Sequence, residues 1–355
     1  MIVYNDRLFP FMADGSAEPS EWSLPMIRSV DRRRLLTGAL GVAATGLLPR
    51  AGRAVPVQGM EILGAPNGST IVLADLIDGG GLASAAPGAS FRLWRTTDDL
   101  RAGIVSGRTR LFSTPSHVPA NLSARGLPLK MLCLLGMGHL SVVTADETIR
   151  DFRDLAGKPV LGFFRHDMPD LTFRAIAKME GMDPEKDLRL DYVQTPMEAA
   201  QLLVAGKATT AILSEPPATA AIMMAGAQGR TLRRAFELTE VWGRHKGTAR
   251  IPMAGIALHA SLLDEAPELI AALKTGLPAA KAHVFADPAA AAKLAERTME
   301  MRPQIFEKAF PKFNIDVVSA RSVKRELETF YSALLDLEPE AIGGRLPPDD
   351  YYLDL

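Results

Sequence analysis

Residues 98–126 read DDLRAGIVSGRTRLFSTPSHVPANLSARG. The segment 97–107 opens on a candidate threonine cap, Thr97, and ends at a glycine, as a helix does. TRLFST (109–114) follows as a short strand. SHVPANLSARG (116–126) is then a second helix, with Pro119 near its first turn. Helix, strand and helix in immediate succession define an α/β unit, and the neighbouring sequence extends it in both directions.

Towards the N-terminus, MEILG (60–64) and FRLWRT (91–96) read as strands around a helix in STIVLADLI (69–77), which is closed by Gly79, Gly80 and Gly81. Towards the C-terminus, LKMLCLLG and HLSVVTAD are two further strands. IRDFRDLAGKPVLGFF gives a short helix, a glycine turn and a strand. PDLTFRAIAKMEGM is a helix by its three- and four-residue apolar spacing. Strand RLDYVQT, helix PMEAAQLLVAGK, strand TTAILSE and helix PPATAAIMMAGA follow, the two helices opening on proline. RIPMAGIALHA is another strand, and beyond Leu263 the pattern is helical. Alternating strands and helices predict parallel sheets covered on both faces. The strands are too many for one small sheet, and the pattern changes near 144–156 and again near 243–250. Two α/β lobes are expected: lobe one from 55–144 plus 247–355, and lobe two from 145–246.

The formal net charge is −1, which excludes a strongly basic nucleic-acid binder. The single cysteine, Cys133, sits in an apolar run and cannot form an internal disulfide; it reads as a small buried residue. The chain opens differently. Arg32, Arg33 and Arg34 precede an uncharged run, Leu35 to Leu48, which is too short for a membrane span. Small residues, Gly52 and Ala54, follow it. Basic segment, mild apolar core and small residues are the layout of a twin-arginine export signal. Met26 begins its compact basic part, so residues 1–25 read as lying outside the signal. A periplasmic location is expected.

Several stretches together carry a resemblance: residues 98–126, LSVVTADETIRDFRDLAGKPVLGFF, ILSEPPATAAI, and IPMAGIALHASLLDEAPELIAALKTGLPAAKAHVFADPAAA. In order and wording they resemble the solute-binding proteins of nitrate/sulfonate/taurine-type (NitT/TauT) ABC transporters. The resemblance spans nearly the whole chain after the leader. One departure is GRTR, where the family commonly carries Asp at the position of Thr109 or Arg110. It implies a two-lobe type II periplasmic-binding-protein fold, a ligand cleft between the lobes and extra C-terminal helices. It also implies a monomer that hands a small solute to an ABC permease of the inner membrane, with no cofactor, no metal and no nucleic acid.

In open α/β sheets ligands bind beyond the carboxyl ends of strands. The loops there offer Asn67, Ser69 and Thr70; Ser113, Thr114 and Ser116; Gly138 and His139; Arg165 and His166, followed by Asp167; and Ser214 and Glu215. Hydroxyl groups at helix N-termini would suit an anion, with Arg165 adding a fork of donors. The plainer reading is capping for the hydroxyl residues, a turn for the glycine and a surface pair for Arg165 with Asp167. Glu215 facing the cleft would instead favour a neutral or amine-bearing solute. Trp94 and Trp242 are candidates for stacking on a planar ligand or for the core.

Two other functions fit the same architecture. One is an enzyme of pyrimidine-precursor (thiamine) synthesis type, which needs a cysteine-rich motif that one cysteine does not supply. Porphobilinogen-polymerising enzymes share the lobes but need an exposed cofactor-bearing cysteine. The other is a ligand-sensing partner of a receptor. No nucleophile elbow and no zinc spacing is present, so binding without catalysis is the expectation.

Overall fold

The computed structural model describes residues 57–355. The export-signal reading, with its twin arginines and its cut near Ala54, lies outside the described residues.

The chain builds β1 (Glu61–Gly64), α1 (Ile71–Asp78), β2 (Ser90–Leu93), α2 (Thr97–Val105), β3 (Leu111–Pro115), α3 (His117–Ala124) and β4 (Leu129–Gly136). Next come β5 (Leu140–Thr144), β6 (Pro159–Phe163), α4 (Met168–Met179), β7 (Arg189–Val193), α5 (Pro196–Val204), β8 (Thr210–Ser214), α6 (Pro217–Ala227), β9 (Arg233–Glu237) and α7 (Leu238–Lys246). The last part is β10 (Ala254–His259), α8 (Leu262–Glu265), α9 (Pro267–Ala286), α10 (Pro288–Met299), α11 (Pro303–Ala309), β11 (Ile315–Ser319) and α12 (Lys324–Leu337).

Two sheets result, ordered β11-β4-β10-β3-β1-β2 and β7-β6-β8-β5-β9. Both are mixed, which corrects the expectation of purely parallel sheets. β10 enters the first sheet antiparallel to both β3 and β4, and β11 adds an antiparallel edge. β5 runs antiparallel to β8 and β9 in the second. β4 is apolar at every position but Lys130 because both its faces and both its edges are covered. Thr96, one residue before the expected Thr97, caps α2 by accepting from the Asp99 amide at 3.1 Å. A cap of this kind contributes about 1 kcal/mol.

β5 belongs to the second sheet, so the first crossing between lobes falls at Met137–His139 rather than at Thr144. The return runs through 247–253. The two crossings lie side by side: the Ile251 amide donates to the Met137 carbonyl at 3.1 Å and the Met253 amide to the Gly136 carbonyl at 3.1 Å. Gly138 holds φ +104°, and a Cβ there would stand 2.2 Å from Thr239 Cγ2, so this bend requires glycine.

The C-terminal helix α12 serves both lobes, not lobe one alone. Tyr331 donates its hydroxyl to the Ser116 carbonyl at 2.8 Å, in lobe one. Its neighbour Phe330 packs edge-on against Trp242 of α7 in lobe two, with ring centroids 5.8 Å apart. Burying such a ring contributes about 1.5–3 kcal/mol. The terminal segment packs on β4: Tyr351 and Tyr352 are buried, and the Leu353 amide donates to the Met131 carbonyl at 2.9 Å.

Three elements are not legible in the sequence. β9, RRAFE, is too charged to read as a strand, yet it closes the edge of the second sheet against β5. α7 follows it directly and ends on left-handed Gly247. β11 lies inside the stretch that reads as wholly helical. Among the described residues no helix is long and apolar enough to cross a membrane.

Candidate functional site

Where the lobes face each other beside the double crossing, the chain encloses a small cavity of about 60 Å³. Lobe one contributes Asn67, Trp94, Thr97 and Pro115, with Met253 and Ala254 from the return crossing and the start of β10. From the other side come His139 and Leu140, Phe163 to Pro169 except residues 165 and 166, Pro196 and Ser214. Both walls are formed by the loops that follow strands, as topology dictates for such sheets.

The wall is mainly apolar, with a few polar groups. Among the described residues Asp167 is its only charged side chain. Its Oδ1 accepts from the Met168 amide at 2.7 Å, capping α4. Arg101 of α2 reaches across from lobe one and donates to Oδ2 at 3.3 Å. Behind it stands the buried His117, whose Nε2 is 3.4 Å from Oδ1 without a hydrogen-bonding geometry. Burial, the largest influence on His117, lowers its pKa despite the nearby carboxylate. His139 is pushed down to about 4 by burial and is therefore neutral near pH 7; its Nδ1 is buried without a partner. Trp94 lies in the wall with its Nε1 donating to the Ser113 carbonyl at 3.1 Å. Trp242 is core, packed on Phe330.

Of the residues singled out by the sequence, Asn67, His139 and Ser214 line this cavity. The others stand elsewhere. Ser69 and Thr70 turn their hydroxyls to Asn67 Oδ1, at 2.7 and 3.4 Å. Thr114 donates to the Pro115 carbonyl at 3.2 Å, and Ser116 to the Pro252 carbonyl at 2.6 Å, which ties α3 to the return crossing. Ser113 Oγ is buried without a partner, outside the lining. Gly138 forms the crossing itself.

Arg165 and His166, expected as solute contacts, are not in the lining of this cavity. Phe164 and His166 hold positive φ, 50° and 60°, and this double left-handed turn aims Phe164 into the cavity and Arg165 away from it. Arg165 lies 5.4 Å above the Tyr192 ring, and exposed His166 contacts Glu338 at 3.1 Å. Glu215 is likewise outside the lining. It is buried, accepts from the Thr219 amide at 3.2 Å, and pairs with Arg234 Nε at 3.0 Å. Desolvation raises its pKa, opposed by Arg234.

Four helix starts in these loops each have one amide taken by a nearby side chain, whereas α3 has no side-chain cap at Ser116. Asn67 Oδ1 takes the Ser69 amide, Asp167 the Met168 amide, Thr195 the Glu198 amide and Glu215 the Thr219 amide. Pro169, Pro196 and Pro217, near the starts of α4, α5 and α6, have no amide hydrogen to offer. Sequence reasoning sought polar groups in these loops and passed over the apolar residues beside them, Phe163, Phe164 and Met168, which form part of the wall. Asp167, which the sequence offers in the same loop as Arg165 and His166, stands in the wall. Among the described residues no group of three His, Cys, Asp or Glu side chains is placed to hold a metal ion.

No protein-family model matches the sequence, and no curated protein matches it. Solved structures do match. An ABC transporter from Parabacteroides distasonis superposes with a TM-score of 0.67 at 19% identity, over 82% of this chain and 97% of that one. The periplasmic aliphatic sulphonate binding protein SsuA from Escherichia coli matches with a TM-score of 0.64 at 14% identity, over 84% and 99%. The periplasmic nitrate-binding protein NrtA from Synechocystis PCC 6803 matches with a TM-score of 0.60 at 12% identity, over 83% and 87%. The chain has the type II periplasmic-binding-protein fold. The two crossings between the lobes are Met137–His139 and 247–253, and the cavity lies beside them.

Proposed function

We propose that this chain is the solute-binding component of an ABC import system, working in the periplasm after export through a twin-arginine signal. The observation that carries the reading is a cavity walled from both lobes at the place where the chain crosses between them twice. A solute there touches both lobes only when they are closed, so it shifts the population towards the closed form. The closed form then presents both lobes to a membrane permease. Asn67, His139 and Ser214 are the solute contacts retained from the sequence, joined by Asp167 and Trp94. The protein acts as a monomer.

Catalysis is disfavoured by the chemistry at hand. Cys133 is fully buried in β4 and burial pushes its thiol up to about 12, which leaves no accessible thiolate for the enzyme types that share the lobes. A nitrate, sulfonate or taurine-like anion, expected from the resemblance, meets no Lys or Arg on the cavity wall. The test is small-angle scattering with thermal melting across a set of small solutes, preceded by native mass spectrometry for a co-purified guest. A binding solute is expected to compact the protein and raise its melting temperature without being altered. Turnover of the solute would overturn the reading, as would the absence of any solute that stabilises the protein.

A further inference from the structure

Beyond the small cavity, between the lobes and towards solvent, lies a second space of about 430 Å³. Pro66, Phe164 and Pro196 line both, so the two are parts of one cleft. The outer part is an apolar groove. Met197 and Met224 line it from lobe two and Met299, Met301 and Ile305 from lobe one. Met197 and Met224 remain 45% and 44% exposed, and with the lobe-one methionines they form one contiguous apolar patch among the described residues. Methionine is flexible and polarisable, and a surface built from several adapts to an apolar guest of varied shape.

The inner cavity alone is smaller than the roughly 300–1,000 Å³ typical of small-molecule sites, whereas the groove falls in that range. Among the described residues Asp167 is the only charged group lining the inner end, and one amide at each of the α4, α5 and α6 starts is taken by a nearby side chain. Burying an anion there without a counter-charge would be strongly unfavourable. What the inner end does offer is the buried, unpartnered Nδ1 of His139 in a wall of Trp94, Phe163 and Phe164, which suits one neutral polar group on an apolar body. Arg95, Glu300 and Arg302 also line the groove, at exposed positions.

We infer that the solute is an uncharged, largely apolar molecule that spans both parts of the cleft, its one polar group at His139 and its apolar body along the methionine groove. This rests on the solute-binding reading above and narrows its substrate class away from small oxyanions.

The test uses two fluorescent probes of one skeleton, N-phenyl-1-naphthylamine, which is neutral, and 8-anilino-1-naphthalenesulfonate, which adds a sulfonate. Both are titrated into the full chain, followed by dye emission and by tryptophan fluorescence, with sodium nitrate as a third arm. The neutral probe is expected to bind at least tenfold more tightly than its sulfonate. Met224→Glu and Met197→Glu, both at exposed positions that leave the core untouched, are each expected to weaken the neutral probe at least tenfold with an unchanged melting temperature. Equal or tighter binding of the sulfonate, or saturable nitrate binding, would overturn the inference while leaving a solute-binding protein. Neutral-probe binding that ignores both methionine substitutions would remove the guest from the groove and overturn it equally. Failure of every probe, together with no stabilising solute in the wider set, would remove the solute-binding reading itself.

Discussion

Arg101 and Asp167 join the two lobes across the cleft: Nη2 of the first, on α2, stands 3.3 Å from Oδ2 of the second, at the start of α4. The partners sit on separate lobes, so the pair would be lost if the lobes moved apart. Arg101 keeps 40% of its side chain in solvent and Asp167 5%. An ion pair with one such exposed partner is worth up to about 1 kcal/mol, or about fivefold in an equilibrium. Arg101→Ala is therefore expected to shift the free protein towards the open form and weaken solute affinity by about that factor. Small-angle scattering of the free protein and a solute titration check both. An unchanged radius of gyration would separate the pair from closure.

Arg165→Ala is expected to leave solute affinity unchanged. The side chain lies over Tyr192 on the outer side of the turn, not in the cavity. The same titration reads it, and a loss of tenfold or more would return Arg165 to the site.

His139 makes stability depend on pH. Burial lowers its pKa from the usual 6.5 to about 4 in the folded chain. Below the unfolded value the unfolded chain takes up a proton that the folded chain does not. The stabilising contribution is thus complete above about pH 6.5 and is lost as pH falls towards about 4, by up to roughly 3 kcal/mol. His117, lowered by its own burial, acts in the same direction. Urea unfolding at pH 7 and pH 4.5 is expected to show a smaller difference for His139→Gln than for the wild-type chain. Equal differences would mean that His139 is already exposed to protons when folded.

Gly138→Ala puts a Cβ into the crossing 2.2 Å from Thr239 Cγ2, at φ +104°. Backbone strain and overpacking together are expected to cost at least about 2 kcal/mol. Adding Thr239→Ser removes the clashing methyl and should recover the steric part only. Melting temperatures of the single and double variants measure the split, and full recovery would mean that the backbone conformation carries no strain.

Phe330→Ala tests how firmly the C-terminal helix ties the lobes together. Phe330 is fully buried against Trp242. Its loss should cost about 3–5 kcal/mol. Far-ultraviolet and tryptophan signals, coincident in the wild-type unfolding curve, are expected to separate in the variant. Coincident curves in both would show that the lobes stay coupled by other contacts.

Much of the fold was legible because it rests on local patterns. Residues 98–126 read as helix, strand and helix, and the structure has α2, β3 and α3 there. Thr195 and Pro196, and Pro217, mark the starts of α5 and α6 for reasons contained in a few neighbouring residues. The strand β9 was not legible, since RRAFE is a strand only because β5 supplies its hydrogen-bond partners. β5 itself was assigned to the wrong lobe, because an apolar strand does not record which sheet it will join.

The site divides along the same line. The sequence by itself determined which loops lie beyond the strands, and so where a cleft would be, since strand and helix periodicity fix the ends of each element. Only the tertiary structure decided which side chains enter that cleft. The left-handed turn at Phe164 and His166 sends an arginine out and a phenylalanine in. Asp167 meets Arg101 only when α2 and α4 come together from separate lobes. Periodicity is a property of neighbours along the chain; direction and pairing at a cleft are properties of neighbours in space.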